Sequence, residues 1–437
     1  MSAELRVGLL GCGVVGQGVL GLAEGNARAI EARLGRPVRI RRVYLRPGSK
    51  CAAKVPANLV THDARQVYAA DDIDVVVEVM GGIDTAGQLI EGALRAQKPV
   101  VTANKALLAE RAHSLIALAN EFEVDLYFEA AVGGGIPVIR TLRESLASDR
   151  VTAIRAILNG TSNYILSQMT RKGLGFAEAL RGAQEAGFAE ADPTLDVGGG
   201  DASHKLAILT TLAFGVHLKT SQISTEGITN VDAIDIHFAR RFGYVFKPLA
   251  IAEAFEDGTL GLRVHPALVP ESSIIAHVTD ALNTVHIAAD ALGPCILTGR
   301  GAGAGPTAVS VLSDVIDIGR NLAANTAGRV PHRAFREDML SQVKVRDAGA
   351  RQGEFYLRFT VQDRPGVLAE IAGILGQNGV SIAHLVQDAP DDGSEVSVEV
   401  VLLTHNAREA AVEAALSRIN QLPHMRGPAR RFRIEEG

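Results

Sequence analysis

The stretch Leu5-Arg6-Val7-Gly8-Leu9-Leu10-Gly11-Cys12-Gly13-Val14-Val15-Gly16 decides the fold. A short apolar run ends at once in two glycines one residue apart, with a third glycine three positions on and a helical stretch beyond. This order predicts a strand, a tight turn and a helix. Gly11 permits the turn, Gly13 lets a pyrophosphate approach the backbone, and Gly16 lets helix and strand pack closely. The phosphates then rest on the amino terminus of the helix, at Val14 and Val15. A lone GxGxxG matches many glycine turns by chance, so the flanking strand and helix are what make this a dinucleotide-binding reading.

Outward from that turn, the chain keeps the rhythm of a parallel sheet. A second strand, Val38 to Leu45, ends in Arg46 with Lys50 just beyond, where an acid commonly holds the adenosine ribose. Cations there suit a 2′-phosphate and hence NADP, with NAD possible; the alternative is a solvated basic turn. Asp74 to Met80 (DVVVEVM) is continuously apolar, as a strand buried on both faces should be, and it stops at Gly81-Gly82, which should line the cofactor cleft. A helix near Thr85 to Gln97 returns to the strand Pro99 to Thr102, which places Lys105 at a strand's carboxyl end, where a nicotinamide and its substrate would meet. After the strand Asp125 to Phe128 come Glu129 and the bend Val132-Gly133-Gly134-Gly135-Ile136. A carboxylate before such a bend can aim several carbonyl oxygens at one hard cation, although a plain crossover turn has the same composition.

A second stretch carries the chemistry: AGFAEADPTLDVGGGDASHKLAIL, Ala186 to Leu209. Gly198, Gly199 and Gly200 predict a mobile or ligand-hugging loop that runs into a helix near Asp201. Asp201 and Lys205 fall on the same stripe of that helix as Ile208, Leu209 and Leu212, so the pair faces inward. An exposed pair at this spacing would add only about 0.3–0.5 kcal/mol. A lysine in a partly dry pocket, with Glu190, Asp192, Asp196 and Asp201 close in sequence, can instead serve as a general acid or base. His204 lies about 100° around the helix and reads as structural.

Elsewhere the sequence organises without adding catalytic groups. Val151 to Leu158 reads as a strand, Asn159-Gly160-Thr161-Ser162-Asn163 as a turn and helix cap, and Val231 to Phe242 as a helix. Tyr244 to Glu256, Thr259 to Val264, Ile274 to Val278 and Thr284 to Ala289 read as strands, giving a sheet with helices on one face. The loop Gly299 to Pro306 opens a helix from Thr307 that can complete the first domain. Residues 327–353 are charged and irregular, which suits a linker. From Glu354 the pattern is βαββαβ, with one strand expected over Glu395 to Thr404, and this predicts a ferredoxin-like module with a regulatory or assembly role.

At 437 residues two or three domains are expected, and 47% hydrophobic with 21% charged residues is ordinary for a globular enzyme. A net charge of −5 without blocks of like charge gives no footprint for nucleic acid or an anionic membrane, so small molecules are the expected partners. Cys12, Cys51 and Cys295 are odd in number and scattered, and no apolar run reaches the ~18 residues of a membrane span; a cytoplasmic location is expected.

The run Ala183-x3-Gly187-Phe188-Ala189-x2-Asp192-Pro193-x2-Asp196-Val197-x-Gly199-x-Asp201-x3-Lys205 resembles the signature of homoserine dehydrogenases. It is joined by the glycine turn at Gly11, VTANKALLA around Lys105, NGTSNYIL from Asn159 and GRGAGAGPTA from Gly299, so the resemblance spans residues 1 to about 325. The tail from Asp363 resembles the ACT regulatory domain. The resemblance implies an α/β architecture: a Rossmann-type NAD(P)-binding domain over 1–150 completed by helix 307–325, and an α+β catalytic and dimerisation domain over 151–306. The linker 327–353 and a ferredoxin-like (βαββαβ) ACT domain over 354–437 follow.

The implied reaction is reversible NAD(P)H-dependent reduction of L-aspartate 4-semialdehyde to L-homoserine, on the route to threonine, methionine and isoleucine. Lys105 and Lys205 then correspond to the lysines beside the reacting oxygen, and Lys105 also belongs to the cofactor side. Glu190 corresponds to the carboxylate holding the substrate's α-ammonium, with Asp196, Asp201 and Gly187 in the same network. Gly303 corresponds to a contact with the nicotinamide half of the cofactor. The turn after Glu129 corresponds to a sodium or potassium site made by Glu129 and the backbone oxygens of Val132, Gly134 and Ile136. A homodimer or homotetramer is implied, with threonine as an amino-acid effector at Asp363 to Leu368 and Asn378 to Val380. Two other functions fit the sequence: a dehydrogenase for another amino-acid semialdehyde or hydroxy acid, and a non-catalytic amino-acid sensor. The joint presence of Lys105, Glu190, Asp201 and Lys205 speaks against the sensor.

Overall fold

Val75, Val76 and Val77 are all fully buried. Successive strand residues point to opposite faces, so burial of all three means that the sheet holding them is covered on both sides. In the computed structural model, which describes residues 4–388 and 397–436, this sheet has six parallel strands. Their order across the sheet is Val60–Thr61, Val38–Tyr44, Leu5–Leu10, Val75–Glu78, Val100–Thr102 and Leu126–Tyr127. The order reverses beside Leu5–Leu10, so the carboxyl end of that strand lies at the sheet's switch point, where open α/β sheets bind ligands.

Contacts divide the chain into two units. The first comprises Met1–Leu158, Asp201–Ile223 and Leu282–Val343. Helix Ala304–Ala324 belongs to it, beginning three residues before the position expected from the sequence. Ala308, Val311, Leu312, Val315 and Ile318 on this helix share one core with Leu5, Val7, Leu9, Val19 and Val43, so a segment nearly 300 residues downstream completes the dinucleotide sheet. Contact with helix Val14–Gly25 is so close that a Cβ on Gly18 would sit 2.3 Å from the carbonyl oxygen of Ala304. The first unit also holds an antiparallel trio, Val151–Ile157, Leu282–Ala289 and Gly293–Arg300. The last of these strands is not among those expected from the sequence. Its residues alternate between exposed and half-buried, and Pro294 and two flanking glycines obscure the strand pattern. The stretch 327–343 is anchored here: Val330, His332 and Arg333 are buried, and Ser341–Gln342 pairs in parallel with Val216–His217.

The second unit comprises Asn159–Gly200, Ser224–Ala281 and Lys344–Gly437. Its long hairpin is Tyr244–Ala254 with Leu260–Pro270, eleven residues each. One expected strand is corrected: Ile274–His277 is a 3₁₀ turn, because the Ser273 hydroxyl accepts the amide of Ile275 and closes the backbone locally. The C-terminal module has the βαββαβ order, with strands Gln352–Val361, Ile382–Asp388, Val398–Thr404 and Arg430–Ile434 and helices Val367–Gln377 and Glu409–Ile419. The first two residues of the strand expected over Glu395 to Thr404 lie outside the described residues.

That module is built into the larger sheet. Arg430–Ile434 pairs with Gln352–Val361 on one side and, at Ala267 and Leu268, with the long hairpin on the other. Phe355, Leu357, Val400 and Leu402 face the module's own helices, while Tyr356, Val401, Leu403 and Phe432 pack with Phe246, Leu268 and Ile236. A charged cluster reinforces this second face. Arg358 is nearly buried and donates to both oxygens of the fully buried Asp235 at 2.6 and 3.1 Å and to Asp232 at 2.6 Å, and the Tyr356 hydroxyl donates to Asp235 at 3.0 Å. Replacing Arg358 with methionine strands the Asp235 charge, and the folded state should lose about 3–5 kcal/mol. A chemical denaturation curve whose midpoint does not move would contradict that value.

Candidate active site

Two helices of the first unit bring two lysines to one carboxylate. Asn104 caps helix Lys105–Glu121 by accepting the amide of Leu107, which places Lys105 at the first helical position. Helix Gly200–Phe214 carries Asp201 in its first turn and Lys205 one turn later. The Lys105 ammonium lies 2.9 Å from one Asp201 oxygen and the Lys205 ammonium 2.7 Å from the other. Lys205 also donates to the Leu158 carbonyl at 2.7 Å, an oxygen that accepts from Asn283 as well. Side-chain exposure is 4% for Asp201, 10% for Lys205 and 38% for Lys105. Asp201 is therefore a fixed, dry counter-charge with one half-open and one nearly closed ammonium beside it. Burial lowers the proton affinity of the neighbouring His204, and its Nδ1 is buried without a hydrogen-bond partner among the described residues.

Of the cofactor residues expected from the sequence, Gly11, Arg46, Gly81 and Lys105 each lie within three residues of the carboxyl end of a strand of the parallel sheet. Gly11 has φ +94°, and a Cβ there would meet Met80 at 2.7 Å, so only glycine fits. Gly13 is the helix cap and has no side chain to satisfy the first-turn amides at Val14, Val15 and Gly16, which leaves them suited to an anion. Arg46 and Lys50 are exposed just past the end of strand Val38–Tyr44. Gly81, with φ +75°, opens the turn after Val75–Glu78, and Gly303, with φ +120°, caps helix Ala304–Ala324.

Sequence reasoning missed the group that shapes the Gly81 turn. Glu78 is fully buried and accepts from the amides of Met80 at 2.7 Å and Gly81 at 3.2 Å and from the Thr102 hydroxyl at 2.6 Å. Burial pushes its proton affinity up against these donors. Asn104 completes the arrangement by donating to the Gly82 carbonyl at 2.6 Å. The available signal was one carboxylate inside a run of valines.

The bend after Glu129 is also specified in detail. Glu129 is buried, and its two carboxylate oxygens accept the amides of Ile139 and Arg140 at 2.9 and 2.8 Å. Burial raises its proton affinity, partly offset by those amides and by Arg140. The Ser310 hydroxyl donates to the Gly134 carbonyl at 2.6 Å, and a Cβ on Gly134 would lie 2.5 Å from the carbonyl of Gly301. The two glycine-rich segments thus lie against each other.

In the second unit, the Asn159–Asn163 turn holds the signature stretch. Asn159 caps helix Gly160–Lys172 and donates to Asp196 at 2.7 Å, Thr161 donates to the Phe188 carbonyl at 2.7 Å, and Ser162 donates to the Asp196 carbonyl at 3.0 Å. Gly187 has φ +74° and starts the exposed bend that contains Glu190. Asp192 turns its carboxylate onto Thr194. Of the four carboxylates expected near Lys205, Asp201 is the one that shares a unit with it.

A parallel six-stranded sheet with a bare-glycine anion cap and paired lysines on a buried aspartate, in a chain that also carries a βαββαβ module, fits the class of nicotinamide-dependent dehydrogenases. Family models match three stretches of the chain: homoserine dehydrogenase, NAD binding domain, over residues 11–129; homoserine dehydrogenase over 137–316; and the ACT domain over 355–424. The chain is 41% identical to the homoserine dehydrogenase of Neisseria gonorrhoeae, over 99% of this chain and 98% of that one. It is 40% identical to that of Pseudomonas aeruginosa, over 99% of each. A crystal structure of a homoserine dehydrogenase from Thiobacillus denitrificans superposes with a TM-score of 0.92 at 41% identity, covering 99% and 98% of the two chains. This chain belongs to the homoserine dehydrogenase family and is an NAD(P)-dependent oxidoreductase. Among the described residues no helix is long and apolar enough to cross a membrane.

Proposed function

We propose that the chain interconverts L-aspartate 4-semialdehyde and L-homoserine in the formation of threonine, methionine and isoleucine, with Lys205 and Lys105 beside the reacting oxygen. One observation carries this reading: two ammonium groups held at 2.7 and 2.9 Å from the single buried carboxylate of Asp201. When bound, the nicotinamide supplies the hydride to the aldehyde carbon. Charge builds on the substrate oxygen, where an ammonium stabilises it and then gives up a proton. Lys205 commits two N–H groups to Asp201 and Leu158 and can aim the third at that oxygen. Asp201 keeps the two cations from repelling each other out of position.

Glu190, with Asp196 and Gly187, holds the substrate's amino-acid end. Glu190→Gln should raise the KM for homoserine roughly tenfold with a smaller change in kcat, since it removes a contact made equally in ground and transition states. An unchanged KM would take Glu190 out of the substrate site.

The exposed Arg46 and Lys50 favour the 2′-phosphate of NADP over NAD, with Gly11, Gly13, Val14, Val15, Gly16, Gly81, Lys105 and Gly303 around the remainder of the cofactor. Glu129 and the carbonyls of Val132, Gly134 and Ile136 hold a sodium or potassium ion. Such an ion suits a carboxylate whose charge burial disfavours. Threonine acts through the ACT module at Asp363 to Leu368 and Asn378 to Val380, in a homodimer or homotetramer. Initial rates of homoserine oxidation with NADP and with NAD, each with and without threonine and potassium, test these points together. No oxidation with either cofactor would overturn the reaction, and equal kcat/KM for the two cofactors would remove the role of Arg46 and Lys50.

A further inference from the structure

The C-terminal strand Arg430–Ile434 has a second set of partners beyond its sheet neighbours. Arg433 is 5% exposed and donates to Glu226 at 2.7 Å and to both oxygens of Glu409, and Arg431 donates to Glu226 at 3.2 Å and to Glu409 at 2.7 Å. Burial alone would push the Glu226 carboxyl up, but the hydrogen bond and charge of Arg433, with the charge of Arg431, outweigh it and hold the group below its ordinary range. Glu226 therefore stays ionised and attached.

What Glu226 sits on gives the attachment a consequence. Its amide donates to the Val264 carbonyl at 2.7 Å, and two residues on, Ile228 donates to the Val197 carbonyl at 2.9 Å. Between them, Gly227 lies so close to the signature loop that a Cβ would be 2.3 Å from the Val197 oxygen and 2.8 Å from the Gly198 Cα. On the next residue of the loop, a Cβ on Gly199 would lie 3.4 Å from the Glu226 carbonyl oxygen and 3.0 Å from Thr225. The loop is tied back to Asp196 by the Gly199 amide at 3.2 Å. Segment Thr225–Ile228 is thus a platform pressed against Asp196–Gly199, with no room to slide because glycine alone fits at the contacts.

We propose that Glu226 is a positioning residue for substrate binding: gripped by Arg433 and Arg431 of the C-terminal strand, it fixes the platform that sets the geometry of the Asp196–Gly199 loop. The C-terminal module then contributes to the substrate site continuously, in the absence of any effector. This rests on the reading that the signature segment binds homoserine. The seam is charge-assisted and half-open on the Glu226 side, whose side chain is 40% exposed, so its loss loosens the loop without unfolding the unit.

The test is a double-mutant cycle on the full-length enzyme. Glu226→Gln should raise the KM for homoserine about tenfold, the magnitude of a lost charge-assisted hydrogen bond, with the KM for NADP within about twofold of wild type. Arg433→Met should raise it similarly, the double variant should be no worse than the worse single, and Arg433→Lys should recover most of the loss because a cation remains. Should Arg433→Met fail to fold on account of the stranded Glu409, Glu226→Gln and Glu226→Asp still decide the matter: a folded Glu226→Gln enzyme with unchanged homoserine KM overturns the proposal. Additive effects in the cycle, or equal rises in both KM values, do so too. A wild-type enzyme inactive on homoserine would instead remove the underlying substrate reading.

Discussion

Lys205→Ala should lower kcat for homoserine oxidation by roughly 10²–10⁴, the usual loss on removing a general acid–base group, while NADPH affinity barely changes. The selectivity follows from the position of Lys205. Its ammonium is committed to Asp201 and the Leu158 carbonyl, and the side chain is only 10% exposed, so it serves the paired-lysine site and not the glycine turn at Gly11. Stability should respond far less than turnover, because Asp201 keeps Lys105 as a partner at 2.9 Å. Stopped-flow NADPH binding and steady-state rates on the same preparation separate the two effects. Near-normal turnover would show that the proton comes from another group, and the first candidate would be Lys105.

Asp201→Asn should be damaging in two ways at once. The amide is the same size but neutral, so both ammonium groups lose the charge that holds them, one of them nearly buried. The loss of a buried partner typically costs about 3–5 kcal/mol, which should appear as a lower denaturation midpoint. Turnover should fall by about 10² or more, since the proposed reaction uses both ammonium groups at the reacting oxygen and the substitution frees both from their counter-charge. Combining Asp201→Asn with Lys205→Ala should cost much less in rate than the product of the single effects, because the groups act as a unit. Independent, multiplying losses would mean that Asp201 and Lys205 serve different steps, and the bridging role would have to be given up.

Elements whose reading depends on local pattern are legible in the chain itself. The valine run at Val75–Val77, the glycine turn at Gly11 and the three glycines before Asp201 each declare themselves in a few residues, as their torsions and burial periodicity require. Ile274–His277 is not legible in this way, because an apolar segment of that length fits a strand or a turn equally and the Ser273 hydroxyl decides between them. The role of Glu78 is hidden for a different reason: a carboxylate in a strand is satisfied by Thr102 and by the turn amides that follow, and the Thr102 contact comes from a separate strand.

The sequence by itself determined the dinucleotide sheet, the inward face of helix Gly200–Phe214 and the βαββαβ order of the tail. All of these follow from spacing along one segment. Only the tertiary structure decided that Asp201 bridges Lys105 and Lys205 and that the last strand of the ACT module grips Glu226. Those outcomes join residues about 100 and 200 positions apart. Their energies come from close packing and from pairing charges away from water, neither of which leaves a periodic mark in the chain.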